Sequence, residues 1–205
     1  MPTPGLRERK KQETRDRISG VATGLFLERG FDAVSVAEVA EAAGVSKMTV
    51  FNYFPRKEDM FFDRGPEFVE MITEAVRGRP AGRPPVEALR DLVLRLFDQR
   101  HPLAGFQDAM TAFWAVVLGS PALRARVREA IEEGESLVAE LFAEAGDERR
   151  ARMTAALVTA AYRACYVDAA RRIMAGEPAE SFAAEQRARV ARCFDAAAAA
   201  AAVVV

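Results

Sequence analysis

The chain has 205 residues, half of them hydrophobic, with 29 Lys plus Arg against 30 Asp plus Glu and a formal net charge of −1. That apolar content is enough to bury a core and excludes a disordered chain, while the balanced charge excludes a global field drawing the molecule to nucleic acid or an anionic membrane. Any affinity for DNA must be local.

The leader carries Arg7, Arg9, Lys10, Lys11, Arg15 and Arg17 interleaved with Glu8, Glu13 and Asp16, and reads equally as a solvated tail or as a set of phosphate contacts. No apolar run follows it to serve as a signal peptide, and no stretch approaches about 18 uninterrupted apolar residues, so neither secretion nor membrane insertion is expected. Cys165 and Cys193 lie far apart, without zinc or disulfide-framework spacing, which points to a cytoplasmic protein.

In the first helical stretch Ile18, Val21, Ala22, Leu25 and Phe26 form one apolar stripe, and Gly30 is placed to take a left-handed C-terminal conformation that folds Phe31 back on the last turn. Ser35 followed by Glu38 has the spacing of a capping box, with Val34 and Val39 as a hydrophobic staple. Val36, Val39, Ala40 and Ala43 form the inner face of a short helix, Gly44 supplies a tight turn, and Ser46 caps a second short helix. On that second helix Val50 and Phe54 point inward, Met48 and Asn52 point outward, and Thr49 and Phe51 lie on the flanks. Met and Phe on an outward face suit a helix in a DNA major groove, where the Asn52 amide pairs with adenine, Lys47 reaches guanine or phosphate, and apolar groups touch thymine methyls. Lys57, just beyond, is placed for a phosphate at the groove edge.

Longer helical patterns follow: Lys57 to Val76, with a kink expected at Gly65-Pro66; Val86 to Gln99; Phe106 to Leu118; Ala122 to Ala145; Asp147 to Ala175; and Ala179 to about Ala202. The closing alanine and valine run extends the last helix or frays. Trp114 lies in a stripe with Phe106, Met110, Phe113 and Val117, a pattern that by itself fits a core. Asp168 follows the apolar stripe Leu157, Ala161 and Ala164, and is either an internal polar anchor for a ligand or a surface partner of Arg171 or Arg172. The single histidine, His101, sits before Pro102; no glycine-rich phosphate loop and no metal-ligand spacing occurs, so neither an enzyme nor a metal or other cofactor is expected.

The first helix pattern, the Gly30-Phe31 corner, Ser35-Val36, Val39-Ala40, Ala43 to Ser46, and Thr49 to Phe54 followed by Lys57 together resemble the TetR family of bacterial transcriptional regulators, over about residues 14–62. The resemblance implies an all-α chain with a three-helix, helix-turn-helix DNA-binding domain, drawn at residues 1–58, and a helical effector-binding and dimerisation domain at 59–205. It implies that Lys47, Met48, Thr49, Phe51, Asn52, Tyr53 and Lys57 face double-stranded DNA, with Ser35 and Ser46 near phosphates. Phe51 and Met48 depart from the family's frequent tyrosine and glycine, enlarging the apolar face. The resemblance further implies a small-molecule effector pocket, for which Phe97, Phe106, Met110, Phe113, Trp114, Val117, Tyr162, Tyr166 and Asp168 are candidates, and a homodimer through the last two long helices. The expected function is a ligand-responsive regulator, a repressor on a palindromic operator; the alternative is a helical protein-interaction module without specific DNA binding.

Overall fold

The computed structural model describes residues 5–204; the readings of the N-terminal leader and of the closing alanine and valine run fall in part on residues 1–4 and 205, which lie outside them. Among the described residues the regular structure is helical throughout, in two compact units. One comprises the described residues up to Asp63 together with Ala115–Arg126. The other comprises Arg64–Trp114 and the described residues from Val127 onward.

The first unit begins with α1 (Leu6–Arg29), so the basic leader is a helix from Leu6 on rather than a tail. Ile18, Ala22 and Phe26 form its fully buried line, spaced at four residues, and Gly20 and Gly24 face solvent. Gly30 ends it with φ 83° and ψ 152°. This is not the left-handed cap that the sequence suggests but an extended conformation at positive φ that only glycine occupies readily. The outcome is the expected corner: Phe31 packs on Phe26 with ring centroids 4.9 Å apart, and Phe61 meets Phe26 at 5.9 Å.

Next come α2 (Val36–Ala42) and α3 (Lys47–Tyr53), joined through Gly44 at φ 65°. The buried staple residues Val34 and Val39 fix the entry to α2, and Val50 and Phe54 anchor α3. The segment Ala115–Arg126 completes this unit, and nothing local in the sequence marks it for that place. Its Val117 and Leu123 are buried, the Ser120 hydroxyl donates to Asp32 Oδ1 at 2.8 Å, and Arg126 meets Asp59 at 3.3 Å.

The second unit holds α4 (Gly65–Arg77), α5 (Pro85–Asp98), the first part of α6 (Met110–Gly119), most of α7 (Pro121–Ala143), α8 (Glu148–Met174) and α9 (Ala183–Val204). The expected kink at Gly65-Pro66 is instead a helix start. Proline in the first turn loses no intrahelical bond, and the residues before it form only a 3₁₀ turn at Glu58–Met60. The core is built from the inner faces of five helices, among them Ile72 and Val76, Leu92 and Leu96, Leu141 and Phe142, Ala155 and Val158, and Val190 and Phe194. Each large side chain so buried contributes about 1.5–3 kcal/mol against conformational entropy. Among the described residues α8 and α9 make the most extensive helix pair, and alanines at Ala151, Ala155, Ala169 and Ala197 permit the close approach.

Candidate nucleic-acid interface

The start of α2 is held by the complete capping box. The Ser35 hydroxyl accepts from the Glu38 amide at 3.2 Å, and the Glu38 carboxylate accepts from the Ser35 amide at 2.8 Å and from Arg29 at 2.7 Å. The Ser35 amide first, and Arg29 second, hold the Glu38 carboxyl well below its ordinary value, at about 2. Ser46 caps α3 by accepting from the Thr49 amide at 3.0 Å, and its hydroxyl lies 2.8 Å from that of Thr49.

The outward face of α3 is as the periodicity places it. Met48 is 70% exposed and Phe51 40%, large values for apolar side chains in an ordered helix, and Lys47 and Asn52 are exposed beside them. The Lys47 ammonium lies 5.9 Å from the Phe51 ring centre, a cation beside the apolar surface. Thr49 and Tyr53 are half-buried. The face thus combines an amide, a cation and two apolar groups, the chemistry that distinguishes base pairs in a major groove.

Lys57 does more than the sequence suggests. Its ammonium donates to the Phe31 carbonyl at 2.5 Å and sits 4.0 Å over the Phe31 ring, and burial holds its pKa below the ordinary lysine value. It ties the end of the helix-turn-helix to the Gly30-Phe31 corner. Arg15, which the sequence groups with the basic leader, donates to the Tyr53 carbonyl at 3.0 Å and the Asp63 carbonyl at 3.3 Å, with its guanidinium 4.3 Å over the Phe54 ring. Its fork occupies the free carbonyl end of α3 and so sets the helix's direction. No sequence signal marks this role, because partners 38 and 48 residues away share no local pattern with Arg15.

The aromatic candidates for an effector pocket divide. Phe97 and Phe106 stack at 4.4 Å, Phe106 meets Phe182 at 5.1 Å, and Trp114 meets Phe113 at 5.4 Å and Tyr166 at 5.5 Å. Phe97, Phe106, Tyr162 and Tyr166 line a cavity of only about 20 Å³, room for a water at most. Burial pushes the Tyr162 phenol up to about 12 and raises that of Tyr166 as well. The buried Trp114 Nε1–H has no acceptor in hydrogen-bonding geometry. Met110 is half-buried, and Val117 belongs to the first unit. Asp168 is no internal anchor: it pairs with Arg189 of α9, both side chains partly exposed, because at its place on α8 it meets the neighbouring helix rather than Arg171 or Arg172.

A larger space in the second unit escaped the sequence. It is an open cavity of about 490 Å³ where the start of α5, the α7–α8 turn and the end of α9 come together, walled by Pro84, Phe142, Phe194 and Ala201, with Arg90, Arg150 and Thr154 as polar groups. Its walls come from three distant stretches, so no local motif announces it. Among the described residues no group of three or more His, Cys, Asp or Glu side chains is arranged to hold a metal, and no helix is long and apolar enough to cross a membrane.

Residues 18–63 match the family model described as bacterial regulatory proteins, tetR family. The HTH-type transcriptional regulator TcmR of Streptomyces glaucescens is 33% identical over 145 residues, covering 68% of this chain and 63% of TcmR. The HTH-type transcriptional repressor KstR of Mycobacterium tuberculosis is 29% identical over 138 residues, 66% of this chain and 59% of KstR. The chain thus spans somewhat under two thirds of the length of these curated relatives. In fold it is similar to the crystal structure of NalD, the secondary repressor of the MexAB-OprM multidrug efflux pump in Pseudomonas aeruginosa. That likeness has a TM-score of 0.57 at 22% identity, over 89% of this chain and 96% of NalD.

Proposed function

The chain belongs to the TetR family of bacterial regulatory proteins, and on that premise we propose that it is a sequence-specific DNA-binding transcriptional regulator, a repressor that binds a palindromic operator as a homodimer and leaves it when a small molecule binds the second unit. In this reading it is not an enzyme. The observation that carries the proposal is the outward face of α3, where Met48 and Phe51 stand exposed beside Lys47 and Asn52 on a helix braced by Ser46 at one end and Arg15 at the other. Apolar exposure of that kind is unfavourable in water and is relieved against thymine methyls in a major groove. Ser35, Ser46 and Lys57 flank the face as phosphate contacts, with Thr49 and Tyr53 at its sides.

One such helix reads only a half-site, so a second copy is required, with half-sites about one helical turn apart. The paired α8 and α9 supply the dimer surface. For the effector, the cavity of about 490 Å³ falls within the roughly 300–1,000 Å³ of small-molecule sites, whereas the aromatic cluster must open before it admits one. Release requires a ligand that prefers the conformer unable to bind DNA. Helices α6 and α7, each shared between the two units, are the carriers of that preference, together with α4.

The test is footprinting on the DNA flanking the protein's own gene, followed by binding of Asn52→Ala. A protected palindrome is expected, with a loss of about 1–3 kcal/mol on that site and a much smaller loss on a site altered at the base pair Asn52 reads. Retention that is weak, salt-sensitive and indifferent to sequence would instead favour the protein-interaction module.

A further inference from the structure

Two side chains that the sequence keeps apart are brought together between α8 and α9. Cys165 Sγ and Cys193 Sγ are 3.0 Å apart, both as free thiols, the first buried and the second partly exposed. A disulfide needs about 2.05 Å, so closure asks for a movement of about 1 Å between sulfurs already in contact. The surroundings hold them in that relation. The buried Gln186 of α9 donates through Nε2 to the Cys165 carbonyl at 2.9 Å, and Arg189, one turn before Cys193, pairs with Asp168, one turn after Cys165. Two side-chain ties across the helix pair therefore lie within two turns of the sulfur contact.

We infer that Cys165 and Cys193 form an oxidation site that a hydroperoxide closes to an intramolecular disulfide, with Cys193 as the attacking sulfur and Cys165 as the resolving one. The assignment of roles follows from exposure. Cys193, partly exposed where Cys165 is buried, is the sulfur a small oxidant reaches. Cys165 is kept a thiol, burial first and the neighbouring Cys193 second pushing its pKa up to about 12, with Asp168 adding to this and Arg189 opposing it. The Cys193 thiolate attacks one peroxide oxygen and breaks the O–O bond, giving a sulfenic acid and releasing the other oxygen as alcohol or water. Cys165 sulfur then attacks the sulfenyl sulfur, and its thiol proton leaves with the hydroxyl as water. In sum two thiols and one hydroperoxide give one disulfide, one alcohol and one water. The product pins α8 to α9 within one protomer.

The experiment treats the full chain with hydrogen peroxide, blocks remaining thiols by alkylation and maps peptides without reduction; it needs no DNA and stands independently of the proposed regulatory role. Wild type is expected to lose both thiols together, to yield one peptide pair joining Cys165 to Cys193 within a protomer, and to recover both on reduction. Cys165→Ala is expected to accumulate a dimedone-reactive sulfenic acid on Cys193, and Cys193→Ala to keep its Cys165 thiol unmodified. A Cys165→Ala chain that fails to fold leaves the wild-type map and Cys193→Ala to decide. The inference is overturned by a disulfide between two copies, by Cys165 oxidising as readily without Cys193, or by both thiols surviving a dose that oxidises free glutathione in the same tube.

Discussion

Arg15 carries two bonds to carbonyls at the end of the helix-turn-helix and packs over Phe54. Its replacement by alanine leaves part-buried carbonyls without a donor, and the expected cost is about 2 kcal/mol, seen as a lowered denaturant midpoint. Lysine at this position should recover little of that, since a single ammonium cannot span both carbonyls; full recovery would show that charge alone suffices. Glu38 acts through protonation. Its carboxyl lies at about 2 in the folded chain against an ordinary 4.5, so its contribution is complete above the ordinary value and is lost as pH falls through about 2. Glu38→Gln keeps an acceptor for the Ser35 amide but loses the charge opposite Arg29. Thermal unfolding of the two proteins should differ at neutral pH and converge in strong acid, and a gap that persists there would argue against a charge effect.

At the scale of elements, the turn before α6 depends on one glycine. Gly105 has φ 64°, and a Cβ built on it would lie 2.0 Å from the Tyr166 hydroxyl oxygen, so α8 presses its tyrosine directly on that backbone. Gly105→Ala is therefore expected to displace Tyr166, to cost about 1–3 kcal/mol through overpacking, and to change the emission of Trp114, which packs on the same ring. An unaltered Trp114 spectrum in a folded Gly105→Ala protein would mean that Tyr166 has room to yield. The surface ion pairs that link elements, such as Arg77 with Glu144 and Arg187 with Asp98, are exposed to solvent and screened, so they contribute little to stability.

For the molecule as a whole, a net charge of −1 leaves the proposed DNA binding to the local surface of α2 and α3, and the proposed dimer doubles that surface. Val167, an exposed valine on α8, lies on the helix pair proposed to join two copies. Val167→Arg is expected to shift sedimentation at micromolar concentration toward the monomer and to weaken binding to a full palindrome far more than to a half-site. An unchanged dimer would move the interface to another face of the helix pair.

The sequence by itself determined the elements whose cause is local. The Ser35–Glu38 box, the Gly44 turn, the Ser46 cap and the outward placing of Met48, Phe51 and Asn52 all follow from residues within one or two helical turns of each other, and periodicity reads such relations directly. The tertiary structure alone decided where distant residues meet. Arg15 beneath the end of α3, Lys57 on the Phe31 carbonyl, Ser120 on Asp32, Asp168 with Arg189, and Cys165 against Cys193 join positions 21 to 88 residues apart. The aromatic stripe around Trp114 shows the same limit, since helical spacing says that these side chains share a face. Of that stripe Phe106 lines the cavity of about 20 Å³, beside residues of α5, α8 and α9 that spacing does not point to, and it is packing that placed the larger cavity at the start of α5, the α7–α8 turn and the end of α9.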